Sequence, residues 1–384
     1  MAALPQAKVG KNIAMTSRYR PTQDVPLSRS AGKSPIKMAV LGAGNMGTAL
    51  AQALAGNGHE VTVWDHFPEV VGDIRLRREN RRFLPGVRLH AGVRATASRS
   101  ECVAGAALIV VSVPSAFVTS TLAPVVPVLE KNAVLLNVAK GFAPRTRQPM
   151  PFVLGRLAPG HPCVHLAGPA IANELARGVP AYIVLAAEEE RIALRVAGWF
   201  AGPSFIPVTT TDVAGAALGG ILKNVYAILL GCLETLSSDS RNLEAAAVTA
   251  CVREMAEIAG AHGGQPATLY GMAGLGDLVA TGFSRDSHNR QFGQMLAAGK
   301  TVAEIEKEKR WLPEGARAVS SVCALARAGR VPAPLAGWVR RVLGGATPSL
   351  AGLLRVLRAS SQPDRMAKKT PLPDSHALQT DQRG

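Results

Sequence analysis

The chain has 384 residues, of which 47% are hydrophobic and 4% aromatic, and its formal net charge is +16. This composition supports a sizeable core and excludes a wholly disordered chain, a collagen and a disulfide-rich miniprotein. No basic patch with interleaved aromatic residues occurs, so we expect no nucleic-acid partner; the positive charge suits a protein that attracts small anions. The five cysteines are scattered without a Cys-x-x-Cys pair. This pattern indicates reduced thiols in a cytoplasmic protein and predicts no metal site.

Both ends of the chain are polar and lack hydrophobic periodicity. Residues 1–37 hold seven basic residues and one acidic residue, and we predict a disordered N-terminal extension there, with an organellar transit peptide as the alternative. Residues 360–384 predict a disordered tail. The longest charge-free stretch, 102–129, contains three prolines and favours a strand, a turn and a short helix over a membrane span.

The folded part begins with an apolar run at residues 37–41 that enters a glycine-rich turn and a helix at 48–57. Further apolar runs occupy residues 60–64, 106–113, 133–138, 164–167 and 181–185. Their alternation with helical segments predicts a parallel, doubly wound sheet. After residue 210 the chain becomes rich in Ala, Leu and Gly at helical spacing, and Thr211-Asp212 resembles a helix cap. We therefore predict an α/β dinucleotide-binding domain at 38–210 and a mostly helical domain at 211–345.

Gly42-x-Gly44-x-x-Gly47 lies directly between the first strand and the first helix. In such a turn the first glycine permits the tight bend, the second lets the backbone approach a pyrophosphate, and the third lets the helix pack on the strand. Asp65 ends the second strand, where a carboxylate can accept hydrogen bonds from the ribose hydroxyls and repel a 2′-phosphate. This arrangement predicts NAD as the cofactor, with NADP possible. An unrelated glycine-rich turn with Asp65 as a solvated strand end is the alternative.

Two lysines lie in apolar surroundings. Lys140 follows a predicted buried strand, so it lies at the edge of the sheet where ligands of open α/β sheets bind. Lys223, followed by Asn224, lies in an otherwise apolar helical segment, so its side chain either reaches solvent or faces a cavity.

Polar residues cluster again at 276–290. Asp277 and Thr281 are four residues apart and share one helix face, although Asp277 could instead cap that helix. Ser287, His288, Asn289 and Arg290 follow in a polar segment that could hold an anionic oxygen group or form an exposed turn.

Taken together, these segments resemble the NAD(P)-dependent glycerol-3-phosphate dehydrogenase family. The similarity covers residues 38 to 345 and is carried by several motifs in the right order. These are residues 42–51, 78–87, 113–115, 139–141, 167–172, 219–225, 274–278 and 314–315.

The resemblance implies a Rossmann domain followed by a helical substrate domain, usually in a homodimer. It implies reversible hydride transfer between NAD(P)H and dihydroxyacetone phosphate, giving sn-glycerol 3-phosphate for glycerophospholipid synthesis. Pyrroline-5-carboxylate reductases share a similar glycine-rich cradle but lack the later Lys-Asn helix.

The resemblance also implies roles for individual residues. Lys223 matches the catalytic lysine that protonates the carbonyl oxygen, Lys140 stabilises the developing alkoxide, and Asp277 orients lysine and substrate. The implied substrate contacts are Lys140, Gly168, Ala170, Lys223, Asn224, Asp277, Thr281, Ser287, His288, Asn289 and Arg290. The implied cofactor contacts are Gly42, Gly44, Asn45, Met46, Gly47, Asp65, Lys140, Ala172, His288 and Glu314.

The chain departs from the family pattern at several positions. His288 stands where the family has an arginine that contacts the substrate phosphate and the cofactor, and a neutral imidazole does not replace a bidentate guanidinium. Arg290 could compensate for this loss. Ala170 replaces a small hydroxyl residue, Ala217 replaces a glutamate, and Asn45-Met46 replaces a Ser-aromatic pair.

These departures leave two alternatives open. One is a dehydrogenase of the same fold with a changed substrate. The other is a non-catalytic paralogue that binds NADH, against which the retention of Lys140, Lys223 and Asp277 argues.

Overall fold

The computed structural model describes residues 34–144, 146–237 and 240–361. An eight-stranded sheet forms the centre of the N-terminal half of the chain. Its strands are β1 (Lys37–Leu41), β2 (Glu60–Trp64), β3 (Val93–Thr96), β4 (Leu108–Val111), β5 (Val134–Asn137), β6 (Cys163–Ala167), β7 (Ala181–Ala186) and β8 (Phe205–Thr210). Their spatial order is β3-β2-β1-β4-β5-β6-β7-β8. The first six strands thus have the order of a Rossmann domain, and the predicted α/β class is confirmed.

Seven helices accompany these strands. They are α1 (Asn45–Gly56), α2 (Pro68–Arg77), α3 (Arg99–Val103), α4 (Val118–Leu122), α5 (Met150–Leu157), α6 (Ala172–Ala176) and α7 (Glu190–Phe200). Two short 3₁₀ helices, Ser115–Phe117 and Ala123–Val128, flank α4.

The sheet is covered on both faces, as the apolar runs require. In β1, Met38 and Val40 belong to one hydrophobic cluster, whereas Ala39 and Leu41 belong to another on the opposite face. Strand β4 is buried along its whole length. Strands of parallel sheets are apolar on both sides because helices pack against both.

The sheet differs from the prediction in two respects, its number of strands and the direction of one strand pair. Strands β3 and β8 were not predicted, because β3 has only four residues including an arginine and β8 contains Pro207, which lies on the edge strand. The sheet is also not wholly parallel, since β6 and β7 pair in antiparallel register. The connection between them holds only the five-residue α6, about 7.5 Å long. That helix is too short to return the chain along a strand of about 17 Å.

The remainder of the described chain is helical, as predicted. Its helices are α8 (Val213–Ser237), α9 (Arg241–Gly260), α10 (Pro266–Tyr270), α11 (Asp277–Phe283), α12 (His288–Ala297), α13 (Val302–Lys309), α14 (Glu314–Ala328), α15 (Pro334–Leu343) and α16 (Leu350–Ser360). A single π turn, Met272–Gly276, precedes α11. Asp212 caps α8, because its Oδ1 accepts a hydrogen bond from the N–H of Gly215 at 2.8 Å.

The chain divides into two compact units. The first extends to Gly220 and includes Gly263–Asp277, and the second contains Ile221–His262 and the chain from Leu278 onward. The sheet lies in the first unit, and most of α8 lies in the second. The chain passes between the units three times, and two of these passages, within α8 and at the start of α11, occur near residues predicted to be functional.

Helix α8 is long and apolar enough to cross a membrane by length and composition, but the 18-residue window that meets this test is wholly buried. The core helix of a globular domain has the same composition. Packing within the protein therefore explains why α8 is so apolar.

The predicted extension and tail lie almost entirely outside the described residues. At their inner ends, Lys37 is the first residue of β1 and Ser360 is the last residue of α16. Regular secondary structure therefore extends one residue into each of the two segments that were predicted to be disordered.

Candidate active site

The glycine-rich loop has the geometry of a nucleotide cradle. Gly42 has a φ of +104°, and a Cβ atom there would lie 2.6 Å from the carbonyl oxygen of Ser112. A Cβ on Gly47 would lie 2.0 Å from the carbonyl oxygen of Gly42, whereas one on Gly44 would meet no atom within 4 Å. The outer glycines are thus required by the fold, and the central one faces open space. This is the division of roles that an approaching pyrophosphate needs.

Helix α1 begins at this loop with Gly44 as its N-cap, and no side chain caps it. The N–H groups of its first turn therefore keep their capacity to bind an anion, and the helix dipole adds positive potential. The loop and the helix together fit the diphosphate of a dinucleotide.

Asp65 at the end of β2 holds the same loop in place. Its Oδ2 accepts a hydrogen bond from the N–H of Ala43 at 2.8 Å, and its Oδ1 accepts one from Phe67 at 3.0 Å. Each carboxylate oxygen has two lone pairs, so the capacity to accept ribose hydroxyls remains. The carboxylate therefore lies beside the cradle, as the sequence predicted.

Asn80 also fixes the cradle, a role that the sequence analysis did not assign. Its side chain is fully buried, and its Nδ2 donates to the carbonyl of Ala43 at 2.7 Å and to Thr48 Oγ1 at 2.8 Å. A buried amide with partners on both sides of the loop rigidifies it. The only signal available from sequence was its place in the 78–87 motif.

The Asn45-Met46 pair opens α1. Asn45 donates from Nδ2 to Asn173 Oδ1 at 3.1 Å, and its own Oδ1 is buried without a hydrogen-bond partner among the described residues. Met46 is partly buried against the core of the first unit.

Lys140 and Asp277 form an ion pair with a separation of 2.9 Å, and only 16% and 2% of their side chains are exposed. The lysine stem packs over Gly220, where a Cβ would lie 3.4 Å from its Cγ and Cδ. The carboxylate of Asp277, the first residue of α11, is therefore engaged by the ammonium of Lys140. Asp277 follows the π turn directly, and such turns often occur at functional sites.

Strands β5 and β6, near Lys140, carry a buried pair of polar residues, Asn137 and His165. Asn137 Nδ2 lies 2.8 Å from His165 Nδ1, and both residues are almost completely buried. Burial lowers the pKa of His165 to about 3, and the positive charge of Lys140 acts in the same direction. The imidazole is therefore neutral at physiological pH and leaves the charge of this region to Lys140 and Asp277.

Lys223 lies within α8 and is only 6% exposed. Its Nζ donates a hydrogen bond to Thr281 Oγ1 at 2.8 Å. Since Thr281 lies one turn after Asp277 in α11, this helix carries acceptors for both lysines. The ammonium of Lys223 is therefore withdrawn from solvent rather than exposed on a helix edge.

The residue after Lys223 joins a buried amide network. Asn289 Nδ2 donates to Asn224 Oδ1 at 3.1 Å, and Asn289 Oδ1 accepts from the N–H of Gly315 at 2.9 Å. A Cβ on Gly315 would lie 2.2 Å from the carbonyl oxygen of Asn224. The network therefore links α8, α12 and the start of α14, where Glu314 is the first residue.

The predicted contacts at 168–172 follow β6. Gly168 has a φ of +91°, and a Cβ there would lie 3.2 Å from the carbonyl oxygen of Tyr182, so the position favours glycine. Ala170 is partly buried against the core, and Ala172 begins α6.

The 287–290 segment is the start of α12 rather than an exposed loop. Ser287 caps the helix by accepting a hydrogen bond from the N–H of Arg290 at 3.3 Å. The imidazole of His288 stacks on Trp311 with a centroid separation of 4.6 Å. Burial lowers the pKa of His288, although the carboxylate of Asp286 opposes this effect.

Arg290, whose side chain is 12% exposed, forms an ion pair with Glu234 of α8, whose side chain is 38% exposed. Its Nε is buried and has no hydrogen-bond partner among the described residues. Neither Trp311 nor Glu234 was singled out from sequence, because neither shows a local pattern. Within residues 34–144, 146–237 and 240–361, no cluster of His, Cys, Asp and Glu could hold a metal ion.

Comparison with protein families gives two matches that together cover most of the chain. Residues 37–193 match the N-terminal domain of NAD-dependent glycerol-3-phosphate dehydrogenase. Residues 212–351 match the C-terminal domain of the same family.

Individual relatives carry the name of the same family. The chain is 37% identical over 333 residues to a protein of Geobacter metallireducens named glycerol-3-phosphate dehydrogenase (NAD(P)+), an alignment that covers 86% of this chain and 99% of that one. It is 39% identical over 311 residues to a protein of Anaeromyxobacter sp. (strain K) with the same name, covering 80% and 93%.

Among solved structures, glycerol-3-phosphate dehydrogenase from Coxiella burnetii superposes with a TM-score of 0.77 at 27% identity, covering 87% of this chain and 99% of that one. The two family matches, the sequence identities and the shared architecture agree with the cradle and the lysine pairs described above. The chain therefore belongs to the NAD-dependent glycerol-3-phosphate dehydrogenase family.

Proposed function

We propose that the protein catalyses reversible hydride transfer between NAD(P)H and dihydroxyacetone phosphate to give sn-glycerol 3-phosphate, and thereby supplies glycerophospholipid synthesis. The observation that carries this proposal is Lys223, a lysine that is 6% exposed in an apolar helix and donates to a threonine hydroxyl. Burial of an amine in such surroundings costs free energy, and buried ionisable groups occur preferentially at functional sites. The names of the relatives from Geobacter metallireducens and Anaeromyxobacter support the same activity.

The nicotinamide cofactor, when bound, supplies or accepts the hydride. We assign its diphosphate to the N–H groups at Gly44 and the start of α1, and its ribose to Asp65, with NAD preferred because the carboxylate repels a 2′-phosphate. Asn45, Met46, Ala172, His288 and Glu314 complete the proposed set. We propose that residues 38–210 form the cofactor-binding domain and that 211–345 form the substrate and catalytic domain, which carries most of the substrate contacts.

Lys223 holds the proton that the carbonyl oxygen receives and takes it back in the oxidative direction. The hydroxyl of Thr281 accepts from the ammonium and can donate to the amine, so this contact is maintained in both protonation states. Lys140, whose ammonium lies 2.9 Å from the Asp277 carboxylate, stabilises negative charge on the oxygen.

The remaining substrate contacts are proposed because these residues match the family's motifs. They are Gly168, Ala170, Asn224, Ser287, His288, Asn289 and Arg290. The buried Asn224–Asn289 bond supports a role in orientation, because each amide is held by a neighbour before any ligand arrives.

A changed substrate is the second candidate, and the 287–290 segment favours it. The pKa of His288 is lowered by burial, so this residue is neutral where the family has a cation. Arg290 is engaged with Glu234. A phosphate would therefore meet less positive charge here than in the family.

We propose further that the protein is a cytoplasmic homodimer. The family resemblance supports the dimer, and the five unpaired cysteines of the described chain support a reducing compartment. Size-exclusion chromatography with light scattering tests the oligomeric state.

Oxidation of NADH by the purified protein tests the activity. We expect turnover with dihydroxyacetone phosphate, much slower turnover with unphosphorylated dihydroxyacetone, and none in Lys223→Ala. Equal turnover of both ketones would favour the changed substrate. NADH binding without turnover of either ketone would contradict catalysis and favour the non-catalytic paralogue.

A further inference from the structure

A small surface cavity of about 190 Å³ lies between α15 and α16 of the second unit. It is remote in sequence from every residue to which a catalytic or cofactor role is assigned above. Its lining contains two arginines, one tryptophan, a serine and a threonine, and no aspartate or glutamate. The cavity is smaller than the 300–1,000 Å³ or so of pockets for drug-sized molecules, so a compact ligand suits it.

Trp338 contributes an indole N–H to this cavity although the residue is only 5% exposed. Its Nε1 lies 3.6 Å from the point that a Cβ on Gly352 would occupy. No residue of the described chain accepts a hydrogen bond from this N–H, and Nε1 is not among the buried polar atoms that lack a partner, so the N–H is open to the cavity. A ligand in the cavity that brings an acceptor can therefore bind it.

Other donors converge on the same point. Arg355 Nη2 lies 3.9 Å from the Cβ position of Gly352, and Ser349 Oγ lies 3.0 Å from it. Arg341 lines the opposite side, on α15. Neither arginine forms an ion pair with an acidic residue in the part of the chain that the structure describes. Two guanidinium groups without a carboxylate partner make the cavity strongly positive.

The backbone contributes in the same direction. Helix α16 has 11 residues, and its N-cap Ser349 accepts a hydrogen bond from the N–H of Gly352 at 3.2 Å. The N–H groups of Leu350 and Ala351 precede that bond and have no intrahelical acceptor. The helix dipole therefore adds positive potential at the cavity.

We propose that this cavity binds a phosphate group, as inorganic phosphate or as the end of a small phosphate monoester. The indole N–H, the two guanidinium groups and the first turn of α16 are all donors, and a phosphate oxygen is an acceptor for each of them. The proposal does not depend on the substrate assigned to the enzyme.

Indole resonances provide a direct test, because the chain has four tryptophans. In ¹⁵N-labelled full-length protein, the variant Trp338→Phe removes and thereby assigns one indole cross-peak. We expect inorganic phosphate, titrated to about 10 mM at constant ionic strength, to shift this peak with saturation and a dissociation constant of about 1 mM. Saturation with methyl phosphate as well would identify a site for monoesters, and saturation with phosphate alone a site for the free ion.

Paired variants separate a built site from diffuse attraction. Arg341→Gln with Arg355→Gln should weaken phosphate binding at least tenfold. Arg340→Gln with Arg358→Gln, which removes the same charge from the same two helices outside the cavity, should not. The other three indole peaks report whether each variant is folded.

Three outcomes would overturn the proposal. The Trp338 peak could remain still over the whole phosphate titration, it could move equally with chloride, or both double variants could lose binding to the same extent.

Discussion

The ammonium of Lys140 lies 2.9 Å from the carboxylate of Asp277, and both side chains are largely withdrawn from solvent. One turn further along α11, Thr281 accepts a hydrogen bond from Lys223. The hydrogen-bond partner of Lys140 is thus a carboxylate, and Lys223 donates to a hydroxyl. The hydroxyl of Thr281 can accept from an ammonium and donate to an amine.

The first prediction concerns proton transfer. Lys223→Met keeps the length of the side chain but removes the proton donor, so kcat should fall by about 10²-fold to 10⁴-fold. NADH affinity, measured by fluorescence titration, should stay nearly unchanged. Thr281→Ser is the matched control and should keep most of the activity, because it retains the hydroxyl. A Lys223→Met enzyme with more than about a tenth of the activity would refute the role.

The second prediction separates charge from stability at the other lysine. Asp277→Asn leaves the Lys140 ammonium without its counter-charge, which should lower the free energy of unfolding by about 2 kcal/mol and kcat at least tenfold. Adding Lys140→Met should restore much of the stability in urea denaturation but none of the activity. Equal stabilities of Asp277→Asn and the double variant would show that the Lys140 ammonium without its counter-charge costs no stability.

The third prediction concerns cofactor choice. Asp65→Ser removes the negative charge beside the cradle while keeping an acceptor for the loop, so the ratio of kcat/KM for NADH to that for NADPH should fall at least tenfold. Glu60→Ser, at the exposed start of the same strand, should leave the ratio unchanged. An unaltered ratio in Asp65→Ser would exclude Asp65 as the discriminating group.

The fourth prediction concerns the phosphate of the substrate. His288→Arg introduces a cation where burial keeps the imidazole neutral, so the KM for dihydroxyacetone phosphate should fall about tenfold, the effect of one charge-assisted hydrogen bond. The KM for unphosphorylated dihydroxyacetone should not change, which makes this ketone the control. No change with the phosphorylated ketone would mean that other groups already hold its phosphate.

The fifth prediction concerns pH and Glu254, a buried residue of α9. Burial raises its pKa from 4.5 to about 7, despite hydrogen bonds from Leu335, Ala336 and Tyr226. Between these two values the folded state binds more protons than the unfolded state, so stability falls as pH rises from about 4.5 to 7. The contribution of Glu254 to the free energy of unfolding is fully present below pH 4.5 and is lost above pH 7. It amounts to about 3 kcal/mol.

Glu254→Gln should remove this part of the pH dependence, which urea denaturation at several pH values would measure. Glu244→Gln on the same helix should retain it. If Glu254→Gln and the unmodified protein show parallel profiles between pH 4.5 and 7, the assignment to Glu254 is wrong.

Local sequence determined the cradle and most of the sheet. A glycine at a positive φ, an apolar run buried on both faces and a capping aspartate before a helix are each decided by steric and solvation effects within a few residues. For this reason Gly42, strand β4 and the Asp212 cap were found without a structure. The family motifs, read in order, extended this to the enzyme class.

Only the tertiary structure decided which polar groups are buried together. Lys223 could have reached solvent, and its burial depends on Thr281, 58 residues later in the chain. Two further contacts join segments that show no local pattern: His288 stacks on Trp311, and Arg290 forms an ion pair with Glu234. The open indole N–H of Trp338 likewise could not be found from the sequence. Such contacts depend on how helices pack, because side-chain solvation and pairing are set by neighbours in space rather than in sequence.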